Sequence, residues 1–296
     1  MTKIALSIVL VGALAINACS SSSSTPKDAA PTDVATDVPA GVKVTVSGVA
    51  APHPLTPPGA DFSMLTVAVV DPVIVLANPA APPLAGGPLD TTACSPTAGC
   101  TWSFDNVDIT HISLGLVGIL DDTRTPAASR MWLKTGTGAG SKAAIDVVLA
   151  NPMPITGRQL FAVSKATEAS IAAGAALALS DPTIVAGSLE SRGFMIGTVL
   201  GAITGTAAPT PVAGATVANL DASMRLAILY PNATFDGFGT STAAHGTFFA
   251  LPKAATTSSV VTDWNVTGPS GSGLTWPAYK AGTSPGTAFV LLMPAN

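Results

Sequence analysis

The chain has 296 residues, of which 48% are hydrophobic and only 10% charged, and its 28 Gly and 25 Pro are spread along the whole length. The formal net charge is −4 and there is no basic run, which argues against binding to nucleic acid and against a polybasic grip on a membrane surface. Glycine and proline used in this way are typical of many short strands joined by turns, and not of a helical bundle.

The N-terminus has the pattern of a short export signal. Lys3 precedes an apolar run over residues 4–16, which is followed by Asn17, Ala18 and Cys19. One positive charge, a short apolar core and a small residue before the cleavage point are typical of a secretory signal peptide. The run is shorter than the about 20 residues that a transmembrane helix needs.

The sequence Ile16-Asn17-Ala18-Cys19 resembles the bacterial lipobox, with Asn17 departing from the small or apolar residue usual there. The resemblance implies that residues 1–18 are removed as a lipoprotein signal peptide and that Cys19 carries lipid. Ser20 stands where an aspartate would mark inner-membrane retention, which implies the outer membrane. The alternative is an ordinary signal peptide cut near Ala18, which would release a soluble secreted protein.

Residues 19–40 consist mainly of Ser, Thr, Pro, Asp and Ala, and begin with a serine run at 20–24. Such a composition cannot form a packed core. We therefore expect a disordered tether that holds the folded part away from the membrane.

Cys94 and Cys100 remain as an even pair if Cys19 is lipidated, and they flank a tight polar loop. An exported protein meets an oxidising compartment, where a disulfide can persist. Two cysteines with no nearby histidine supply too few ligands for a metal site, and their spacing is not that of a CxxC redox site. The sequence therefore predicts a structural disulfide between Cys94 and Cys100.

Residues 41–150 are predicted to form an antiparallel β-sandwich. Val42, Val44 and Val46 alternate with polar residues, as expected for a strand with one buried face. Further strands are predicted at 65–70, 73–76, 101–104 and 112–120, between segments rich in Pro, Gly and Asp.

Residues 151–192 differ in composition and predict a helical connector. The stretch 159–179 is rich in Ala, Leu, Lys and Glu without an internal proline, and Asp181-Pro182 would end a helix there. A short second helix is expected near 184–191. The last part, 193–296, returns to strands, which are predicted at 194–199, 215–217, 226–230, 247–251 and 288–293.

Three segments of this last part resemble the carboxypeptidase-regulatory-like family, whose members are transthyretin-type β-sandwiches. They match in order a strand, a "P-V-x-G-A-x-V" segment and a later "T-x-x-x-G-x-F", and the long stretch at 219–241 departs from the pattern. The segments are Gly197-Thr198-Val199, Pro211-Val212-Ala213-Gly214-Ala215-Thr216-Val217 and Thr242-Ala243-Ala244-His245-Gly246-Thr247-Phe248. The resemblance implies a scaffolding or binding module and carries no catalytic residue.

The predicted fold class is therefore mainly β, with two antiparallel β-sandwich domains of the Ig or prealbumin type at 41–150 and 193–296. The short helical segment at 151–192 lies between them.

Catalytic chemistry has little support in the sequence. His53, His111 and His245 are isolated, and none lies in an H-E-x-x-H setting. No G-x-S-x-G elbow, P-loop or dinucleotide fingerprint occurs. We therefore expect a protein that is not an enzyme and needs no cofactor.

Four carboxylates flank the strands near Trp102, and such oxygens could bind Ca²⁺. Turn residues and strand-end caps explain them equally well. They are Asp105, Asp108, Asp121 and Asp122.

The sequence favours a structural or binding role at the cell envelope, with an envelope protein or a glycan as partner. An alternative is a carbohydrate-binding protein, in which Trp264, Trp276 and Tyr279 would stack on sugar rings if their faces were exposed. A third hypothesis is an unrecognised hydrolase, which would place one histidine against a serine or an aspartate.

Overall fold

The computed structural model describes residues 41–57, 61–78, 80–95, 99–203, 209–221, 226–253 and 259–296. Cys19, the predicted signal peptide and the predicted tether lie outside the described residues. Residues from Gly41 to Asn296 form one unit.

Strands make up most of the regular structure, so the mainly β prediction is confirmed. The strands of the first half are β1 Lys43–Pro52, β2 Leu65–Val70, β3 Ala85–Pro88, β4 Cys100–Asp108, β5 Gly115–Asp122, β6 Thr135–Ser141 and β7 Ile155–Ala162. Those of the second half are β8 Phe194–Ala202, β9 Thr216–Asn219, β10 Leu226–Pro231, β11 Phe238–Gly239, β12 Thr247–Pro252, β13 Val260–Thr267, β14 Tyr279–Thr283 and β15 Ala288–Ala295.

These strands form three sheets. The central sheet has nine strands in the order β11-β10-β12-β8-β15-β6-β5-β2-β3, and the two outer sheets have the orders β4-β1-β7 and β14-β13-β9. Most neighbours are antiparallel, as predicted, but β15 is parallel to both β8 and β6, and β1 is parallel to β7. Parallel neighbours need long crossover connections, and these partners are far apart along the chain.

The central sheet runs across the predicted boundaries at 150 and 192. The last strand, β15, lies between β8 of the second half and β6 of the first half. The two predicted sandwiches are therefore present as two halves of one sheet, each covered by its own three-stranded sheet.

Three buried clusters separate these layers. The first lies between β4-β1-β7 and the β6-β5-β2-β3 half, and contains Trp102, Val67 and Leu120. The other two lie on opposite faces of the second half, because neighbours along β12 point in opposite directions. Phe249 faces the cluster that packs against the helical segment between β7 and β8, and Phe248 faces the cluster under β14-β13-β9.

The outer sheet β4-β1-β7 is joined to the central sheet by threonine side chains. The backbone N–H of Phe161 donates to Thr137 Oγ1 at 3.2 Å, and that of Val163 donates to Thr135 Oγ1 at 3.4 Å. Both threonines are buried on β6. Their hydroxyls thus satisfy backbone N–H groups at the C-terminal end of β7 and just beyond it.

The predicted connector helix is present but starts later than expected. α3 spans Lys165–Leu179, capped by Ser164, whose Oγ accepts from the Thr167 N–H at 3.0 Å. The residues before it belong to β7. The short second helix is α4, Ser188–Arg192.

Two further helices correct the sequence analysis. The strand predicted at 73–76 is wrong, because α1 occupies Pro72–Ala77. Asp71 caps this helix by accepting from the Val73 N–H at 2.8 Å, and Pro72 fits its first turn. These start signals outweigh the strand preference of valine and isoleucine. α2, Lys142–Ala150, was not predicted and begins at the cap Ser141.

A substitution of Gly197 on β8 tests the packing of the central sheet. A Cβ there would lie 2.0 Å from ring atoms of the buried Phe248, whereas a Cβ at Gly138 on β6 meets nothing within 4 Å. We expect Gly197→Ala to lower the free energy of unfolding by about 1–3 kcal/mol through overpacking. Gly138→Ala, the matched control, should change it by less than about 1 kcal/mol. Urea unfolding midpoints measure both, and equal midpoints would contradict this packing.

Candidate functional site

The aromatic residues predicted as a sugar platform lie on or beside the outer sheet β14-β13-β9. Trp264 lies on β13, is fully buried, and packs on Phe248 with ring centroids 6.1 Å apart. Its Nε1–H donates to the backbone oxygen of Ala281 at 3.1 Å. The prediction that Trp264 offers a face to a sugar is therefore wrong.

Trp276 and Tyr279 are half-buried and hold the outer sheet on the central one. Trp276 Nε1–H donates to the backbone oxygens of Leu200 and Met293, both at 3.0 Å. The Tyr279 hydroxyl donates to the backbone oxygen of Pro294, and burial raises the pKa of this hydroxyl to about 12. Both polar groups are thus used by the fold, as buried Trp and Tyr require.

A shallow groove on the other face of this sheet is the candidate binding surface. Its volume is about 330 Å³, and it is lined by Leu220, Asp221, Val261, Thr262, Asp263 and Lys280. Asp263 and Lys280 are cross-strand neighbours whose carboxylate and ammonium groups lie 2.9 Å apart. Both are about half exposed. The groove therefore offers an apolar strip beside a solvated ion pair.

This groove was not predicted from the sequence. The signal lies in the alternation along β13, where Thr262 and Trp264 point inward and Val261 points outward. Nothing local assigns Leu220 or Lys280 to the same surface, because β9 and β14 reach it from distant parts of the chain.

The three segments that resemble the carboxypeptidase-regulatory-like family meet in space around Thr242. The Thr242 hydroxyl donates to the backbone oxygen of Val212 at 2.7 Å and accepts from the N–H of Ala215 at 3.0 Å. The N–H of Val212 donates to the oxygen of Val199, whose own N–H donates to the oxygen of Gly246, both at 2.9 Å. One side chain and six backbone groups thus join segments that lie far apart in sequence.

Gly246 makes this junction tight. Its φ is +66°, and a Cβ would lie 2.4 Å from the backbone oxygen of Val199. The glycine of the "T-x-x-x-G-x-F" pattern is therefore required by both backbone conformation and space.

The predicted disulfide is confirmed, since Cys94 and Cys100 are bonded to each other. Cys100 is buried at the start of β4 and pairs with Ala50 of β1. The bridge therefore fixes Cys94 to β4, the edge strand that pairs with the central strand β1 of this outer sheet.

The histidines are placed apart from one another, in structural settings. Buried His53 accepts from the Leu55 N–H through Nδ1 at 3.2 Å and lies edge-on to Phe161. His245 accepts from the Thr247 N–H through Nδ1 at 3.1 Å, and its Nε2 faces the oxygen of Asn232 at 3.0 Å. His111 is exposed.

Three of the four carboxylates considered for Ca²⁺ have partners within the fold, namely Asp105, Asp108 and Asp122. Asp105 accepts from the Thr45 hydroxyl, and Asp108 accepts from the hydroxyl and N–H of Thr110. Within the described ranges, no group of three His, Cys, Asp or Glu side chains could hold a metal ion.

Asp122 is the centre of a buried polar network that the sequence analysis did not identify. It accepts from the backbone N–H groups of Met131 and Trp132 at 2.8 and 3.1 Å, and from the Arg124 guanidinium at 2.7 Å. Arg124 also reaches Asp61 at 2.5 Å. Burial raises the pKa of Asp122, but these donors outweigh it and the pKa lies below its usual value. The network fixes the segment before β6.

In the part of the chain that the structure covers, no helix combines the length and apolar character needed to cross a bilayer.

Thr242 provides a test of the junction between the three segments. Thr242→Val removes the hydroxyl and leaves the Ala215 N–H and the Val212 oxygen without this partner. We expect the free energy of unfolding to fall by about 1–3 kcal/mol. The exposed Thr240→Val should leave it nearly unchanged, and urea unfolding of both variants gives the comparison. Two equally stable variants would show that the junction contributes little.

The burial of His53 predicts that the stability of the fold depends on pH. Burial lowers its pKa from 6.5 to about 4, so below pH 6.5 the unfolded chain binds a proton that the folded chain does not. The free energy of unfolding should therefore fall as the pH drops from 6.5 to about 4, by about 3 kcal/mol in total. His53→Gln should remove this part of the slope, and His111→Gln should keep it. Urea midpoints at several pH values test this, and an unchanged slope in His53→Gln would refute it.

Comparisons with known proteins give no family. No protein-family model matches the chain, and no curated protein matches it significantly.

Among solved structures, the chain is similar to two pilins. The minor pilin GBS52 of Streptococcus agalactiae has 8% identity and a TM-score of 0.26, over 85% of this chain and 95% of that one. The shaft pilin SpaA of Lactobacillus rhamnosus GG has 11% identity and a TM-score of 0.23, over 86% and 98%. Likenesses at these TM-scores carry no information about function, which is therefore inferred from the chain's own residues.

Proposed function

We propose that the chain is a cell-envelope lipoprotein, anchored in a membrane through Cys19 and carrying a non-catalytic structural or binding unit. One observation carries this proposal. Cys94 and Cys100 are bonded to each other, so of the three cysteines Cys19 alone is left for lipid, and it lies in the segment that resembles a lipobox.

The anchor would act through its acyl chains. Each buried CH₂ contributes about 0.8 kcal/mol, so two or more chains hold a protein stably on a bilayer. Residues 1–18 would be removed, 19–40 would form the tether, and Ser20 favours the outer membrane. The disulfide supports export, because such bonds persist in oxidising compartments.

A non-catalytic role is supported by how the fold uses its reactive side chains. His53 and His245 each accept from a backbone N–H, and in the groove Asp263 and Lys280 are paired with each other as an ion pair. The partner would be an envelope protein or a glycan that meets this groove. The geometry does not favour sugar stacking, because Trp264 is buried and Trp276 is bonded to the backbone.

We also propose that residues 193–296 are a carboxypeptidase-regulatory-like module. Support comes from Thr242 and Gly246, which join the three resembling segments through hydrogen bonds and close backbone contact. In that family the module is a scaffolding or binding part, which agrees with the proposed role.

Lipid labelling tests the anchor. In a bacterial host fed labelled palmitate, the full chain should incorporate label and yield a mature N-terminus at Cys19 with the added mass of acyl chains. Cys19→Ala should incorporate none. The double variant Cys94→Ala, Cys100→Ala is the matched control, and it should still be labelled. Mass spectrometry of the N-terminal peptide gives the readout, and an unlabelled chain with Met1 retained would contradict the proposal.

A further inference from the structure

One end of the first sandwich is marked by the point at which the chain enters the folded unit. Gly41 lies two residues before the first residue of β1, and Lys43 at the start of β1 pairs with Asp108 at the end of β4. Residues 109–114 then connect β4 to β5. Gly41 and this connection therefore lie at the same end.

Two short helices lie at this same end. β2 ends with Val70 opposite Val117, and α1 follows it directly. β6 ends with Ser141 opposite Gly115, and α2 follows it. The connection from α2 to β7 also lies here, because Ile155 at the start of β7 pairs with Val46 in the first half of β1.

Large apolar side chains at this end are exposed to solvent. α1 buries none of its residues fully, and the stretch 72–89 carries no charged residue. We call this set the apolar end. Its members are Val73 at 39% exposure, Ile74 at 47%, Leu114 at 39%, Val147 at 59% and Met153 at 41%.

The charged side chains at this end are few, and the cations among them have carboxylate neighbours. Lys142 forms an ion pair with Asp146 within α2, and Lys43 lies opposite Asp108. Buried Asp71, which caps α1, and exposed His111 are further titratable groups here. An apolar surface without an excess of positive charge fits a phospholipid interface better than it fits a strongly acidic partner, because burial of apolar area is the favourable term available.

We infer that the apolar end rests on the membrane and is not held away from it by the tether, with these side chains within the headgroup and acyl boundary at a depth of about 5–10 Å. The inference rests on the proposed anchor at Cys19. Cys19 lies 22 positions before Gly41, a length that spans at most about 75 Å. Because the chain joins the folded unit at Gly41, the attachment leads to the apolar end.

Tryptophan fluorescence of the acylated full chain on phosphatidylcholine vesicles tests this contact. Ile74→Trp places a probe at the apolar end. Met64→Trp is the matched control, because Met64 precedes the other end of β2 and has a similar exposure of 43%. The unsubstituted protein gives the background from its four native tryptophans.

Lipids brominated on their acyl chains should quench Ile74→Trp well beyond background and leave Met64→Trp at background. Leu114→Trp should behave like Ile74→Trp and covers the case in which the first variant does not fold. Adding phosphatidylglycerol should not increase the quenching, since the end carries no excess of positive charge.

The outcomes separate the two proposals. A chain that carries acyl mass and floats with the vesicles, but shows background quenching at both Ile74→Trp and Leu114→Trp, overturns the contact and leaves the anchor standing. Equal quenching at Met64→Trp also overturns it, because tryptophan itself would then be driving the insertion. A chain without acyl mass that does not float overturns both.

Discussion

The pairing of the last strand with both halves of the chain is the interaction on which the architecture depends. β15 is hydrogen-bonded to β8 on one side and to β6 on the other, in parallel on both. Its side chains alternate between the two faces, with buried Val290 beneath the helices and buried Met293 beneath the second outer sheet. A parallel strand covered on both faces reads as a continuous apolar run, as β15 does. Each outer sheet can then cover its own half of one continuous sheet.

Local patterns in the sequence predict the elements of this fold better than their partners. Period-two alternation identifies β1 and β2, because burial on one face is a local property of a strand. The same pattern does not indicate whether neighbouring strands run parallel or antiparallel, so the parallel pairing of β1 with β7 was not predicted. α1 shows the opposite failure, where an Asp-Pro start outweighs four apolar residues of strand type.

The candidate site was less predictable than the fold. With only 5% aromatic residues, the chain uses its large rings to fill the layers between sheets, and this places Trp264 inside. Exposure is set by the partner sheet that covers β13, which is a long-range property. The groove beside Asp263 and Lys280 likewise requires the register of three strands. The sequence did predict the Cys94–Cys100 bridge, because the two cysteines lie close together along the chain.

A chain with 10% charged residues has few lysines to protect its sheet edges, and open edges invite association with other chains. The central sheet instead ends in very short strands, β3 with four residues and β11 with two. β3 also carries Pro88 and two glycines, which weaken further pairing. Short edge strands therefore protect the central sheet from association in this protein, whereas charged side chains do so in most. The same scarcity of charge leaves apolar side chains uncovered at the end where the chain enters the fold, and a nearby bilayer would remove that surface from water.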